Sequence, residues 1–284
     1  MLITFRVKLR YYGKIRTKEV TMAEKEGWQS RESVKRYQKT ADVVIPYRRT
    51  ILSLITRLSA AFTPDRPRIL DLGCGPGDVT AEILALKPQA SVVMIDNSEE
   101  MLKIARERFQ SNKNIEIITY DMDSGLPKHL LSKKFHAVVS CFAIHHVEYA
   151  NRVKLYTDIR RSLVAGGLFV NGDRFTGESP RISNWEGDDW INWMVASIKE
   201  KLATERTFDE LKNTQLESDK KHGDKPGTIW SMRDDLKLVG FKYVDCVWKA
   251  YNLGVLTATN LGTEDPTKTV TKQLYDSRTR AKVN

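Results

Sequence analysis

Short apolar segments alternate with helical patterns through the middle of the chain. The apolar segments are rich in β-branched residues, which favours buried strands, and they lie at 69–72, 92–95, 115–118, 137–139 and 168–170. Apolar residues with helical spacing fill the intervals, at 79–86, 99–109 and 152–163. This alternation predicts an α/β fold in which helices cover both faces of a mostly parallel, doubly wound sheet.

The segments on either side of this alternation extend the predicted fold. Residues 28–62 have a helical pattern, and helix-like segments follow later at 191–202 and 208–216. A further helix at 230–239 precedes two strand-like runs at 241–248 and 251–258, which predict an antiparallel hairpin. We therefore expect a Rossmann-like, seven-stranded, mostly parallel sheet with an antiparallel C-terminal hairpin and a helical cap inserted after the fifth strand.

These patterns divide the chain into five parts. We expect a dispensable basic extension (1–21), an N-terminal helical lid (22–64), a ligand-binding core (65–175 and 229–260), a helical cap that carries the substrate segment (176–228), and a polar tail (261–284).

The net charge of +10 lies mainly at the two ends of the chain. Residues 1–21 carry +5 and residues 261–284 carry +2, which leaves +3 for the 239 residues between them. A body this weakly basic argues against nucleic acid as the partner. No apolar run is long enough to cross a bilayer, and the three scattered cysteines form no Cys/His cluster. We therefore expect no membrane span, no disulfide framework and no metal site, and a cytoplasmic location.

A glycine-rich turn follows the first predicted strand, in the sequence Asp71-Leu-Gly-Cys-Gly-Pro-Gly. Its G-x-G-x-G spacing differs from the G-x-G-x-x-G of dinucleotide enzymes. Asp71 beside the loop would repel a pyrophosphate but attract a cation, and Asp96 ends the second strand, where an acid accepts hydrogen bonds from ribose hydroxyls. A ligand with a ribose, a positive charge and no phosphate meets all three conditions. S-adenosylmethionine (SAM) is such a ligand.

These motifs resemble those of class I SAM-dependent methyltransferases. They are most similar to the small-molecule group that includes the ubiquinone/menaquinone-biosynthesis methyltransferases. The resemblance rests on 71–77, on Ile95-Asp-Asn-Ser-Glu-Glu-Met101, on Tyr120-Asp-Met122, and on 135–146 and 163–169. It spans residues 30–175, and 241–258 matches the closing hairpin. It implies an enzyme that transfers a methyl group from SAM and releases S-adenosylhomocysteine.

The resemblance also implies roles for residues at matching positions. The cofactor-binding residues implied in this way are Tyr37, Asp71, Gly73, Cys74, Gly75, Asp96, Asn97, Met101, Asp121, Met122, Cys141 and Phe142. The glycine loop would hold the methionine part of SAM, Asp96 the ribose, and Met101 and Asp121 the adenine. Cys141 and Phe142 would line the sulfonium region, and Tyr37 would contact the carboxylate end from the lid. The alternative for the aspartates is helix capping or turn formation.

The sequence gives fewer indications of catalytic residues, because SAM is already an activated methyl donor. A general base is needed only for a nucleophile that arrives protonated. His145 and His146, just past the fourth predicted strand, and Asp173, at the end of the fifth, lie on the edge where ligands bind. They are the predicted catalytic residues. The alternative is that they line the pocket, cap a turn or belong to a loop.

The cap is expected to select the substrate. Trp185, Trp190, Trp193 and Met194 lie in it, and the last three share a helix face by their spacing. Part of that face is predicted to form an aromatic pocket for a flat or apolar acceptor. The alternative is that this face packs the cap onto the core.

Three functions remain open. A small-molecule methyltransferase agrees best with the sequence. In a nucleic-acid methyltransferase that acts on base amines, Asn/Asp-Pro-Pro-aromatic would stand where this chain has Ser140-Cys-Phe-Ala143. A non-catalytic SAM-binding protein is the third possibility, and the oligomeric state stays open.

Overall fold

The computed structural model describes residues 6–11, 14–19 and 27–260. Most of the lid's first residues and the whole tail 261–284 lie outside this range, as does part of the extension. The strands are β1 (Arg6–Tyr11), β2 (Lys14–Glu19), β3 (Arg68–Leu72), β4 (Ser91–Asp96), β5 (Ile115–Thr119), β6 (Phe135–Cys141), β7 (Leu163–Arg174), β8 (Tyr243–Ala250) and β9 (Leu253–Thr259). The helices are α1 (Arg31–Val44), α2 (Arg48–Ala61), α3 (Asp78–Leu86), α4 (Glu99–Phe109), α5 (Tyr149–Ser162), α6 (Pro180–Leu202), α7 (Phe208–His222) and α8 (Ile229–Leu238).

Seven strands form the central sheet, in the order β5-β4-β3-β6-β7-β9-β8. The pairs among β3 to β7 are parallel, whereas β9 pairs antiparallel with both β7 and β8. This confirms the predicted fold class, including the antiparallel hairpin. Because parallel strands end at one edge, the loops after β3, β4, β6 and β7 meet there. Within the described residues, β1 and β2 pair only with each other.

Helices cover both faces of the sheet, as the alternation predicts. Buried side chains of α2, α3 and α4 pack on one face, and those of α5 and α8 pack on the other. Gly172 in β7 shows how close this packing is, because a Cβ there would lie 2.4 Å from Ile51 Cγ2. The sheet therefore presents a rigid edge for the loops that follow its strands.

The cap consists of α6 and α7, which follow the fifth core strand. A separate apolar cluster joins them to α1, and it contains Val43, Ile191, Met194, Ile198 and Leu211. Helix α6 begins at Pro180, well before the predicted residue 191. Its first residues are mostly polar and exposed, so the apolar spacing carries no sign of them. No helix among the described residues is long and apolar enough to cross a membrane.

Candidate active site

The glycine loop between β3 and α3 has three glycines with positive φ. The angles are +63° at Gly73, +52° at Gly75 and +87° at Gly77, which favour glycine. A Cβ on Gly73 would lie 2.1 Å from Ala143 Cβ, and one on Gly77 would lie 2.4 Å from the Phe109 ring. On Gly75 it would meet nothing closer than a sulfur at 3.9 Å. Packing within the protein thus requires two of the glycines, and only Gly75 borders open space.

Asp71 is a buried carboxylate at the end of β3, with 1% exposure. Its Oδ2 accepts a hydrogen bond from Thr80 Oγ1 at 2.6 Å. Its Oδ1 is buried and has no hydrogen-bond partner within the described part of the chain. Burial, with the nearby Asp96 carboxylate adding to it, raises the pKa of Asp71 to about 7. A cation next to Oδ1 would satisfy this group.

Asp96 connects the end of β4 to the glycine loop. Its Oδ2 accepts from the Gly75 backbone N–H at 2.9 Å, and its Oδ1 accepts from the Ser98 N–H at 2.8 Å. Burial raises the pKa of this carboxyl, although the backbone hydrogen bonds oppose the shift. Each oxygen keeps a lone pair, so the carboxylate can still accept from two vicinal hydroxyls.

These observations fit SAM as the ligand. The unpartnered Asp71 oxygen suits an ammonium, the space above Gly75 leaves room for a chain to cross the loop, and Asp96 suits a ribose. When bound, SAM supplies an electrophilic methyl group on its sulfonium.

Two of the residues predicted for the adenine lie against the glycine loop. Met101 is buried, and its sulfur is the atom 3.9 Å from the Cβ position of Gly75. Met122 brings its Cε to 3.3 Å from the Cβ position of Gly73. Asp121 caps the short 3-10 turn Met122–Ser124, and its Oδ1 accepts from the Asp123 N–H at 3.0 Å. Turn capping therefore occurs here, and the adenine contact of Asp121 stays a prediction.

The residues predicted to line the sulfonium region lie at the end of β6. Cys141 is its last residue, and Phe142 has a left-handed backbone with φ of +53°. The Phe142 N–H donates to the Gly172 carbonyl at 2.9 Å, which fixes this turn against β7. Ala143 follows and packs on Gly73, so the end of β6 lies directly beside the glycine loop.

The predicted catalytic residues lie together, with His145 and Asp173 buried and His146 half-buried. His145 Nδ1 lies 2.5 Å from Asp173 Oδ1, and the His145 backbone N–H donates to Asp173 Oδ2 at 3.2 Å. Burial would lower the pKa of His145, but the Asp173 carboxylate outweighs it and raises the pKa. Burial lowers the pKa of His146, and the adjacent His145 lowers it further. The sequence therefore located residues that meet in space, while their catalytic role stays a prediction.

Residues 69–167 match a family model described as a methyltransferase domain. This range contains the glycine loop, Asp96, Asp121 and the end of β6. The chain carries a class I SAM-dependent methyltransferase domain. SAM is accordingly its cofactor.

Curated relatives of this methyltransferase include carboxy-S-adenosyl-L-methionine synthases. The protein from Actinobacillus pleuropneumoniae serotype 5b is 23% identical over 222 residues, which cover 75% of this chain and 85% of the relative. The protein from Trichodesmium erythraeum is 24% identical, with 78% of this chain and 83% of the relative covered.

Solved structures show the same fold. Human N-acetylserotonin methyltransferase in complex with SAM has a TM-score of 0.54 at 16% identity, over 86% of this chain and 61% of that chain. A chain in the Haloferax volcanii complex of a methyltransferase with the Trm112 activator has a TM-score of 0.54 at 13% identity, over 83% and 98%. Sequence identities this low indicate the fold and do not indicate the methyl acceptor.

The cap tryptophans of the methyltransferase have different surroundings. Trp190 donates from its indole Nε1 to the Val44 carbonyl at 2.8 Å, and Met194 is buried against α1 and α7. Trp193 packs on the same cluster. Trp185 is 56% exposed and lies against Tyr251, with ring centroids 5.6 Å apart. Cap packing thus accounts for three of these residues, and their role in an acceptor pocket stays a prediction.

Arg48 is a site residue that the sequence did not reveal. Its guanidinium is buried, donates to Asp42 Oδ1 at 2.7 Å and to the Tyr37 hydroxyl at 3.2 Å, and leaves Nε without a partner among the described residues. Tyr37 and Arg48 line a cavity of about 510 Å³ that reaches Pro76 in the glycine loop. The sequence does not distinguish this arginine among 46 Lys and Arg residues. Its role becomes visible only when α1 and α2 place it beside Tyr37.

Trp28 was also missed, although it belongs to a segment that closes the site. Residues 27–30, which we call the strap, cross the edge of the sheet ahead of α1. The Trp28 carbonyl accepts from Ser98 Oγ, and Gln29 Nε2 donates to the Asn97 carbonyl at 2.7 Å. On its other side, the Trp28 ring lies 4.4 Å from the His222 ring of the cap, centroid to centroid. The strap therefore joins the ribose side of the site to the cap.

Proposed function

We propose that this enzyme transfers the methyl group of SAM to an oxygen, nitrogen or carbon nucleophile of a small aromatic or apolar molecule held beneath the cap. Support comes from how the strap and the cap meet above the ends of β6 and β7. Trp28 Nε1 donates to His146 Nε2 at 3.2 Å while its ring lies against His222. Because the strap and the cap contact each other above the site, the site is covered. A covered site favours a small acceptor over a nucleic-acid strand.

The contribution of this chain is mainly alignment. Asp71 and Asp96 would hold the two ends of SAM, and the end of β6 at Cys141 would set the direction of the methyl group. Holding donor and nucleophile in line contributes several kcal/mol to lowering the barrier, and exclusion of water prevents hydrolysis. His145, His146 and Asp173 would face the acceptor from the adjoining turn.

A complex with S-adenosylhomocysteine tests the proposal directly. We expect a closed, largely apolar cavity between the sulfur and the cap. An open groove lined by Lys and Arg would contradict it and favour an RNA methyltransferase. A parallel assay would follow labelled methyl groups from SAM into a panel of phenols, amines and quinols and into total RNA, with Asp96→Ala as the inactive control. Label in RNA alone would also overturn the proposal.

A second candidate comes from the curated relatives. They are carboxy-SAM synthases, and this chain matches 85% of the length of one of them at 23% identity. Mass spectrometry of the cofactor after turnover separates the two activities. When the assay also contains a carboxyl donor, methyl transfer leaves S-adenosylhomocysteine, whereas carboxy-SAM synthesis leaves carboxylated SAM. Unchanged SAM with every acceptor would favour a non-catalytic SAM-binding role.

A further inference from the structure

Two histidines and an aspartate converge beside the glycine loop. His145 and His146 belong to the 3-10 turn Ile144–His146 after β6, and Asp224 follows α7. His146 Nδ1 lies 3.2 Å from Asp224 Oδ1, and His145 Nε2 lies 3.8 Å from Asp224 Oδ2. One ligand atom from each of the three residues lies within 4.8 Å of the others. Separations of this size are close to those between donors that share one metal ion at ordinary bond lengths of about 2.0–2.2 Å.

The facing atoms lack hydrogen-bond partners. His146 Nδ1 and Asp224 Oδ1 are both buried, and neither has a partner within the described residues. They lie 3.2 Å apart and attract each other electrostatically, but their relative direction does not meet hydrogen-bond geometry. Buried polar atoms without partners are costly, and such positions in proteins usually mark a role beyond packing. A cation between them would satisfy both.

The surrounding groups hold two of the three side chains in an orientation that suits a metal. Asp173 Oδ1 lies 2.5 Å from His145 Nδ1, which places the proton on Nδ1 and leaves the Nε2 lone pair facing Asp224. Arg174 Nη1 donates to Asp224 Oδ2 at 3.0 Å. A carboxylate behind a ligating histidine and a donor behind a ligating carboxylate are the usual outer groups of metal sites.

One contact opposes metal binding. Trp28 Nε1–H donates to His146 Nε2, so in the metal-free protein the proton of His146 is on Nδ1. A metal on Nδ1 requires the remaining ring proton to be on Nε2, and the Trp28 hydrogen bond must then break. Metal binding is therefore coupled to the position of the strap.

We propose that His145 Nε2, His146 Nδ1 and Asp224 bind one divalent transition-metal ion. Two imidazoles and one carboxylate suit Zn²⁺, Fe²⁺ or Co²⁺, and disfavour Mg²⁺ and Ca²⁺, which prefer oxygen ligands. Three protein ligands leave at least one coordination position open. Because Ala143 of the same loop packs on Gly73, the three ligands lie near the glycine loop. The proposal stands apart from the identity of the methyl acceptor and departs from the sequence expectation of no metal.

The test measures metal binding to the full chain after chelation, without SAM or acceptor. Calorimetry with ZnCl₂ is expected to give one site per chain with a micromolar or lower Kd, and Co²⁺ is expected to give a visible spectrum without thiolate bands. Asp224→Asn should weaken Zn²⁺ binding about 100-fold. The matched control is Asp219→Asn, because Asp219 pairs with the same Arg174 but does not face the histidines.

Trp28→Phe gives a result that a merely structural role would not produce. Removal of the opposing hydrogen bond should make Zn²⁺ bind about three- to tenfold more tightly. Absence of Zn²⁺ binding at 100 µM would overturn the proposal, because a metal site built by the protein binds more tightly than about 10⁻⁴ M. Equal Zn²⁺ affinity in wild type and Asp224→Asn would also overturn it. If Asp224→Asn fails to fold, His146→Gln takes its place with the same expected loss. None of these outcomes depends on methyl transfer, so a negative result leaves the proposed function intact.

Discussion

The cofactor side and the cap side of this site are built in different ways. The cofactor side takes Asp71, Gly75 and Asp96 from one β-α-β unit, and backbone N–H groups hold the Asp96 carboxylate. The cap side takes Trp28, His146 and Asp224 from three distant segments, and their side chains contact one another. A site that depends on local backbone geometry can be predicted from the spacing of residues in the sequence. A site that depends on distant side chains can be identified only in the folded structure.

Asp96→Ala tests the cofactor side and has the largest expected effect. It removes the acceptor for the Gly75 and Ser98 N–H groups as well as the expected ribose contact. We expect SAM affinity to fall by at least about 100-fold in calorimetry. Asp65→Ala is the control, since that carboxylate is fully exposed at the other end of β3. Unchanged affinity with an intact fold would make the cofactor assignment wrong.

Gly73→Ala tests which glycines serve packing. The new methyl would lie 2.1 Å from Ala143 Cβ in a left-handed backbone, so we expect about 2 kcal/mol of lost stability in urea unfolding. Gly75→Ala should cost about 1 kcal/mol from backbone strain alone and act mainly on SAM affinity. Equal losses of stability in the two variants would contradict this division.

The pH dependence of SAM binding tests Asp71. Its pKa of about 7 means that the carboxyl loses its charge as the pH falls from 7.5 to 5.5, and an ammonium then loses its partner. Affinity should therefore fall about tenfold over this interval. Asp71→Asn should bind weakly and show a flat profile. The same slope in both proteins would assign the titration to another group.

Trp190→Phe has the smallest expected effect and addresses the cap side. It removes the hydrogen bond to the Val44 carbonyl and keeps most of the apolar surface, so we expect about 1 kcal/mol of lost stability. If Trp190 only packs the cap, the KM for the acceptor stays unchanged. A raised KM at unchanged stability would instead support the predicted aromatic pocket.

Much of the fold followed from local patterns. The strands of the parallel core contain short β-branched runs, and the glycine loop marks the change from β3 to α3. The start of α6 at Pro180 did not follow, because the first part of this helix is mostly polar and exposed. Apolar periodicity reports burial, and it is silent where a helix begins on the surface.

The same distinction separates the site residues that the sequence predicted from those that it did not. Asp71 and Asp96 were predicted because spacing along a β-α-β unit fixes their separation in space. Arg48 and Asp224 were not, since each gains its meaning from a partner that lies far along the chain or on another element. His145 and Asp173 were each placed at the sheet edge, but their 2.5 Å contact depends on the register of β6 with β7.

The strap has a thermodynamic consequence. Trp28 contacts Ser98 at the ribose edge, His146 after β6 and His222 of the cap, so one short segment is ordered by both halves of the site. A ligand that fixes the strap from one side lowers the entropy that the other ligand must still remove. We therefore expect donor and acceptor to raise each other's affinity by the same factor, as linkage requires.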